Sequence, residues 1–123
     1  MRRAIAIAAI LLGLGWILVG AGPALAQYGA IAWDKETGKY GASWKQLTQK
    51  LANEKALAEC GTSGCKVVTR IDPIRCGALA TTADGKQVGA AARKTRDEAR
   101  LAALKNCPTE AGECTVRVAD CNK

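Results

Sequence analysis

The chain opens with Arg2 and Arg3, followed by 23 residues without a formal charge, Ala4 to Ala26. This run is apolar until Gly22-Pro23 breaks it, and the small residues Ala24 and Ala26 flank Leu25. A basic start, an apolar stretch and a small-residue end predict a Sec-type signal peptide over 1–26, cleaved after Ala26. The alternative is an uncleaved anchor, since the run is long enough to span a bilayer. From residue 27 onward the pattern changes to short apolar segments separated by polar ones. Residues 29–33 and 39–44 read as strands joined through Asp34-Lys35-Glu36-Thr37-Gly38. Residues 77–81 and 86–92 read likewise, joined at Asp84-Gly85, a hairpin turn signal. Helices are predicted at about 49–60 and 96–107. Ala52, Ala56, Leu57 and Cys60 form one helical face, and Ala99, Ala103, Leu104 and Cys107 form the other. Thr48 and Thr95 stand at N-cap positions. Thr95-Arg96-Asp97-Glu98 spells a capping box, in which the hydroxyl accepts the Glu98 amide and the carboxylate returns to the Thr95 amide. Gly61 and Pro108 end the helices. Alternation at Val67/Thr69/Ile71 and Val116/Val118 predicts strands at about 65–71 and 114–120.

These elements are one unit written twice. Gly29-Ala30-Ile31-Ala32 returns as Gly77-Ala78-Leu79-Ala80, and Gly41-Ala42 returns as Gly89-Ala90. Thr48, Ala52, Ala56, Leu57 and Cys60 return 47 positions later as Thr95, Ala99, Ala103, Leu104 and Cys107. Cys65-x-Val67 returns as Cys114-x-Val116. The expectation is an α+β domain over 27–123, with repeats at about 28–72 and 76–121. Each repeat reads β-β-α-β, and a pseudo-two-fold relates them. The pattern leaves open whether the antiparallel strands form one sheet or two facing sheets.

Composition adds the need for cross-links. Residues 27–123 hold 18 Val, Ile, Leu, Met, Trp and Tyr side chains against 17 Ala, so little area is available for burial. At ~25 cal/mol per Å² of apolar surface such a core is marginal. All six cysteines lie in this part, a density typical of exported domains. Cys60 and Cys65 would staple the first helix end to the next strand, and Cys107 and Cys114 the second. Cys76 and Cys121 then pair with each other. This is one of 15 possible connectivities, chosen because the repeat supports it. No Cys-x-x-Cys is present, which argues against a zinc site or a thioredoxin-type pair.

Tyr28-Gly29-Ala30-Ile31-Ala32, Tyr40-Gly41-Ala42-Ser43, Ala56-Leu57-Ala58-Glu59-Cys60 and Cys76-Gly77-Ala78-Leu79-Ala80 resemble, in that order, an exported bacterial family. It is the domain-of-unknown-function family numbered 4189. The resemblance covers about 28–121 and implies export, but it carries no catalytic residue with it. Gln87 and Val88 stand where the family often has aromatics.

The chain carries 18 Lys+Arg against 11 Asp+Glu and no His. Without His there is no Ser-His or Cys-His nucleophile and no His-ligated metal. Neither a metal nor a cofactor is expected. Three groups of residues remain as candidates. Trp33, Trp44 and Tyr40, with Tyr28, belong to the first repeat alone, so the fold itself does not require them. Ile31 and Trp33 are expected on one strand face, and Tyr40, Ala42 and Trp44 on another. They suit either packing or an aromatic patch for a protein or glycan partner. Arg93, Arg96 and Arg100, with Lys94, gather at the start of the second helix and suit either a solvated face or an anion-binding stripe. Asp34, Glu36, Asp72, Asp84 and Asp120 could supply a glycosidase pair, although most fall at predicted turns.

The leading expectation is an exported, non-catalytic binding module, monomeric or weakly dimeric, in the periplasm or the medium. The alternative is an electrostatic binder of anionic polymer or of a membrane surface. A small hydrolase comes third. No specific nucleic-acid motif is present, and membrane attachment is expected only if the signal segment stays uncleaved.

Overall fold

The computed structural model describes residues 26–110 and 112–123. The expected signal segment, up to its last residue, lies outside them. The element order is β1(Tyr28–Trp33), β2(Tyr40–Gln46), α1(Gln49–Cys60), β3(Lys66–Ile71), β4(Cys76–Thr82), β5(Val88–Arg93), α2(Arg96–Asn106) and β6(Cys114–Cys121). Two antiparallel three-stranded sheets result, ordered β2-β1-β3 and β5-β4-β6. The question of one sheet or two is therefore answered in favour of two.

The sheets face each other, with β1 across from β4, β3 from β5 and β2 from β6. Each sheet carries a helix on its outer side, so the order of layers is helix, sheet, sheet, helix. The central strands explain themselves in this arrangement. Ala30 and Ala32 of β1 meet Ala52, Ala56 and Cys60 of α1. Ala78 and Ala80 of β4 meet Ala99, Ala103 and Cys107 beside α2. Between these alanines Ile31 and Leu79 point the other way, and with Ile71 they fill the space between the sheets. Both faces of β1 and β4 are thus buried, small side chains toward a helix and large ones toward the opposite sheet.

The helices lie unusually close to their sheets, and glycine makes this possible. A Cβ at Gly41 would collide with the backbone of Ala56, Glu59 and Cys60. A Cβ at Gly89 would collide with the backbone of Ala103, Asn106 and Cys107, the equivalent positions. The hairpin tips meet near the pseudo-two-fold. Gly38 and Gly85 both have φ 76°, and a Cβ on Gly38 would sit 3.0 Å from the Gly85 Cα.

Thr48 and Thr95 cap their helices, accepting from the amides of Leu51 and Glu98. The capping box differs from expectation in one bond. The Glu98 carboxylate accepts from the Thr95 hydroxyl at 3.0 Å rather than from the Thr95 amide, because the hydroxyl has a proton to give. Helix α2 ends at Asn106 with Cys107 as its cap, one residue before the proline. Disulfides join Cys60–Cys65, Cys76–Cys121 and Cys107–Cys114, the same pairs that the repeat predicts.

Candidate functional site

The two edges between the facing sheets have different chemistry. At one edge β2 looks across to β6, and a groove of about 420 Å³ runs between Tyr40, Ala42 and Trp44 on one side and Arg117 and Val118 on the other, with Glu59 at its rim. Tyr40 is 39% exposed, while Trp44 is half-buried with its inner part against the Ile31–Leu79 layer. A smaller polar recess, lined by Thr37, Thr81 and Asp84, continues from the groove past Tyr40 and Arg117. At the other edge, β3 looks across to β5. There the residues equivalent to Tyr40, Ala42 and Trp44 are Val88, Ala90 and Ala92, and all three pack on the same inner layer. Equivalent strands thus carry aromatic side chains in the first repeat and aliphatic ones in the second.

The register corrects one expectation. Ile31 pairs with Ala42 and Trp33 with Tyr40, so both sets of residues lie on one face of the sheet, the face toward the second sheet. Directly paired antiparallel residues point to the same side. Trp33 nevertheless stays out of the groove. Its indole Nε1 donates to the Gly85 carbonyl at 2.8 Å, bracketing the second hairpin, and its ring lines a separate depression with Lys66 and Val68.

Arg117 was not legible in the sequence as a site residue. A β-bulge explains why. Leu79 pairs with Val118 but Ala80 pairs with Val116, which leaves Arg117 unpaired and re-aimed. The first repeat has the same bulge at Val68. The Arg117 guanidinium donates from Nε to Thr81 Oγ1 at 2.8 Å and from a terminal nitrogen to the Thr82 carbonyl. These bonds hold a fixed cation at the mouth of the groove.

The basic candidates are placed differently. Arg93, Arg96 and Arg100 are all exposed. Arg96 binds Asp120 at 3.0 Å, and Arg93 donates to its neighbouring carbonyl of Ala92. The Arg96–Asp120 pair is about half exposed on each side, a setting in which ion pairs contribute about 0–1 kcal/mol.

Two of the acidic candidates, Asp34 and Asp84, are turn and loop anchors. Asp34 is buried and accepts from the hydroxyls of Thr62 and Thr37 and the amide of Glu36. The Thr62 bond, ahead of the others, holds its carboxyl below the usual range. Asp84 is held low by the Lys86 amide and then by the Thr82 hydroxyl. A glycosidase acid needs the opposite shift. Among the described residues, no group of three or more Asp, Glu or Cys side chains is arranged to hold a metal ion.

Residues 28–121 match the family model described as Domain of unknown function (DUF4189), and the chain belongs to that family. Uncharacterized protein Rv1813c of Mycobacterium tuberculosis (strain H37Rv) is 42% identical over 67 residues, which are 54% of this chain and 45% of that protein. Uncharacterized protein Mb1843c of Mycobacterium bovis matches to the same extent. The chain thus spans about half the length of the curated relatives it matches. The solved NMR structure of Rv1813c from Mycobacterium tuberculosis superimposes with a TM-score of 0.60 at 28% identity, covering 99% of this chain and 96% of that one.

Proposed function

We propose that this member of the DUF4189 family is an exported, non-catalytic binding module whose ligand occupies the groove between β2 and β6. The observation that carries the proposal is the asymmetry of the two edges. Strand β5 packs on the inner layer through Val88, Ala90 and Ala92, so the fold does not demand aromatic rings at the equivalent positions Tyr40 and Trp44 of β2. Exposed aromatic faces beside a fixed guanidinium are typical anchors of recognition surfaces. Tyr40 and Trp44 supply flat apolar contact. Arg117, Glu59 and the recess hydroxyls supply directional hydrogen bonds. A glycan or an extended segment of a protein suits such a groove. The three disulfides suit an oxidising compartment.

The test is retention of a ligand from envelope and medium extracts by the oxidised, exported protein. The reading expects one component retained at high salt, and lost when Tyr40→Ala or Arg117→Ala is used as bait. Both variants are chosen over Trp44→Ala because Trp44 also packs on the inner layer. Retention that vanishes with salt and is unaffected by these variants would transfer the function to the basic face of α2.

A further inference from the structure

At the end of β4 remote from its hairpin lies the turn Asp72-Pro73-Ile74-Arg75. The Arg75 amide donates to the Asp72 carbonyl at 3.2 Å, closing the turn. Ile74 has φ 62°, a left-handed conformation that a β-branched residue rarely adopts. Its side chain is 73% exposed, the highest value among the large apolar residues exposed on this surface. Glycine or asparagine would relieve the backbone, and any polar residue would suit the exposure. The structure around the turn holds it firmly in this unfavourable state. The buried Asn122 donates from its amide to the Ile71 and Asp72 carbonyls, and its backbone N–H donates to the Arg75 carbonyl at 2.8 Å. The Cys76–Cys121 disulfide lies immediately behind.

The surroundings of Ile74 are cationic. Arg75, Lys94 and Lys123 line a shallow depression with it, and the lining is mostly apolar. The Lys123 ammonium donates to the Lys94 carbonyl at 3.2 Å. Asp72 is the single carboxylate of the turn. Leu47, 58% exposed, follows β2 at the same end of the sheets, as the pairing of Tyr28 with Gln46 and of Gly29 with Ile71 places it.

We propose that this turn docks the protein on an anionic phospholipid surface, with Ile74 entering the acyl boundary and Arg75, Lys94 and Lys123 contacting headgroups. An aliphatic tip ringed by long cationic side chains matches the layered chemistry of a bilayer surface, apolar beneath anionic. A soluble polyanion would use the cations but gives no role to a strained, protruding isoleucine. A protein interface would need a broader apolar centre than one side chain. Among the described residues no helix is long and apolar enough to cross a membrane. The site is separate from the groove at Tyr40 and Trp44, and either can fail without the other.

The exported protein is mixed with vesicles of phosphatidylcholine, with and without phosphatidylglycerol, and sedimented at low and high salt. Binding is expected only to vesicles with phosphatidylglycerol, and to weaken with salt. Ile74→Asn is expected to bind about tenfold more weakly, as loss of a buried aliphatic side chain implies. The same variant should melt about 4–8 °C higher, because asparagine accepts the left-handed backbone. Lys94→Ala should weaken binding severalfold without raising the melting temperature. A lipid-borne spin label in the acyl region should broaden the methyl signals of Ile74 and leave those of the buried Ile31 and Ile71 sharp. The proposal is overturned by any of three results: no binding to anionic vesicles, undiminished binding of Ile74→Asn, or an Ile74 methyl signal untouched by the label. Capture of heparin or nucleic acid in place of vesicles would assign the cations to a soluble polymer and overturn it as well.

Discussion

Single residues in this domain are fixed by space and by hydrogen bonds more than by apolar area. Gly41 and Gly89 are the clearest case. Each lies under the end of a helix where no Cβ fits. Gly41→Ala and Gly89→Ala should each destabilise the protein by about 1–3 kcal/mol, the usual cost of overpacking, and by similar amounts because the surroundings are equivalent. Urea unfolding of the two variants measures this, and a large difference between them would argue against equivalent packing. Asn122 is the second case. Its side chain accepts the Lys45 amide at 2.9 Å and donates to two carbonyls from the other repeat. Asn122→Ala leaves those buried groups without partners and should cost about 1–3 kcal/mol. Nothing in a lone Asn near a chain end reveals such a clamp, since its partners are 50 or more residues away. Asp34 and Asp84 set a pH dependence. Both are held below the ordinary Asp value of 3.8 in the folded state. Their contribution is therefore present above that value and is lost as pH falls through and below it. Thermal unfolding followed from neutral into acid should show stability falling there, and Asp34→Asn should flatten that fall.

At the scale of elements, the sequence pattern was readable because each element obeys one period. Both helices, their threonine caps and all six strands sit within one or two residues of their predicted bounds. Alanines at helical spacing mark the faces that meet a sheet, and the ordered recurrence of motifs marks the repeat. The pattern failed where a bulge breaks its period. Arg117 reads as an outward residue between Val116 and Val118, yet the unpaired position turns it into the groove. The pairing of strand faces was also hidden, because register comes from turn geometry and not from alternation alone. The disulfides differ in what they close. The paired cysteines stand 5, 7 and 45 positions apart in the sequence. On the chain-entropy account the two short links contribute about 2 kcal/mol each and the long one about 4. The double variant Cys76→Ala/Cys121→Ala should therefore lose more stability than Cys60→Ala/Cys65→Ala, as denaturant midpoints would show.

The whole molecule combines a near-symmetric scaffold with an asymmetric surface. The two repeats build the same layers, the same bulge in their last strand and the same helix contacts. Of the two equivalent strands β2 and β5 only β2 carries aromatic side chains, a cationic bulge residue faces them, and the strained Ile74 turn joins the two repeats. Composition showed that these aromatics are confined to the first repeat. It did not show that Tyr40 and Trp44 would share a groove while Trp33 would be drawn away to Gly85. That division gives the most direct test of the binding site. The two indole N–H signals of Trp33 and Trp44 are followed by NMR while the component retained from extracts is added. Movement of the Trp44 indole, together with Arg117 and Tyr40, and a stationary Trp33 indole is the predicted result. A stationary Trp44 with shifts gathered on Arg93, Arg96 and Arg100 would contradict it.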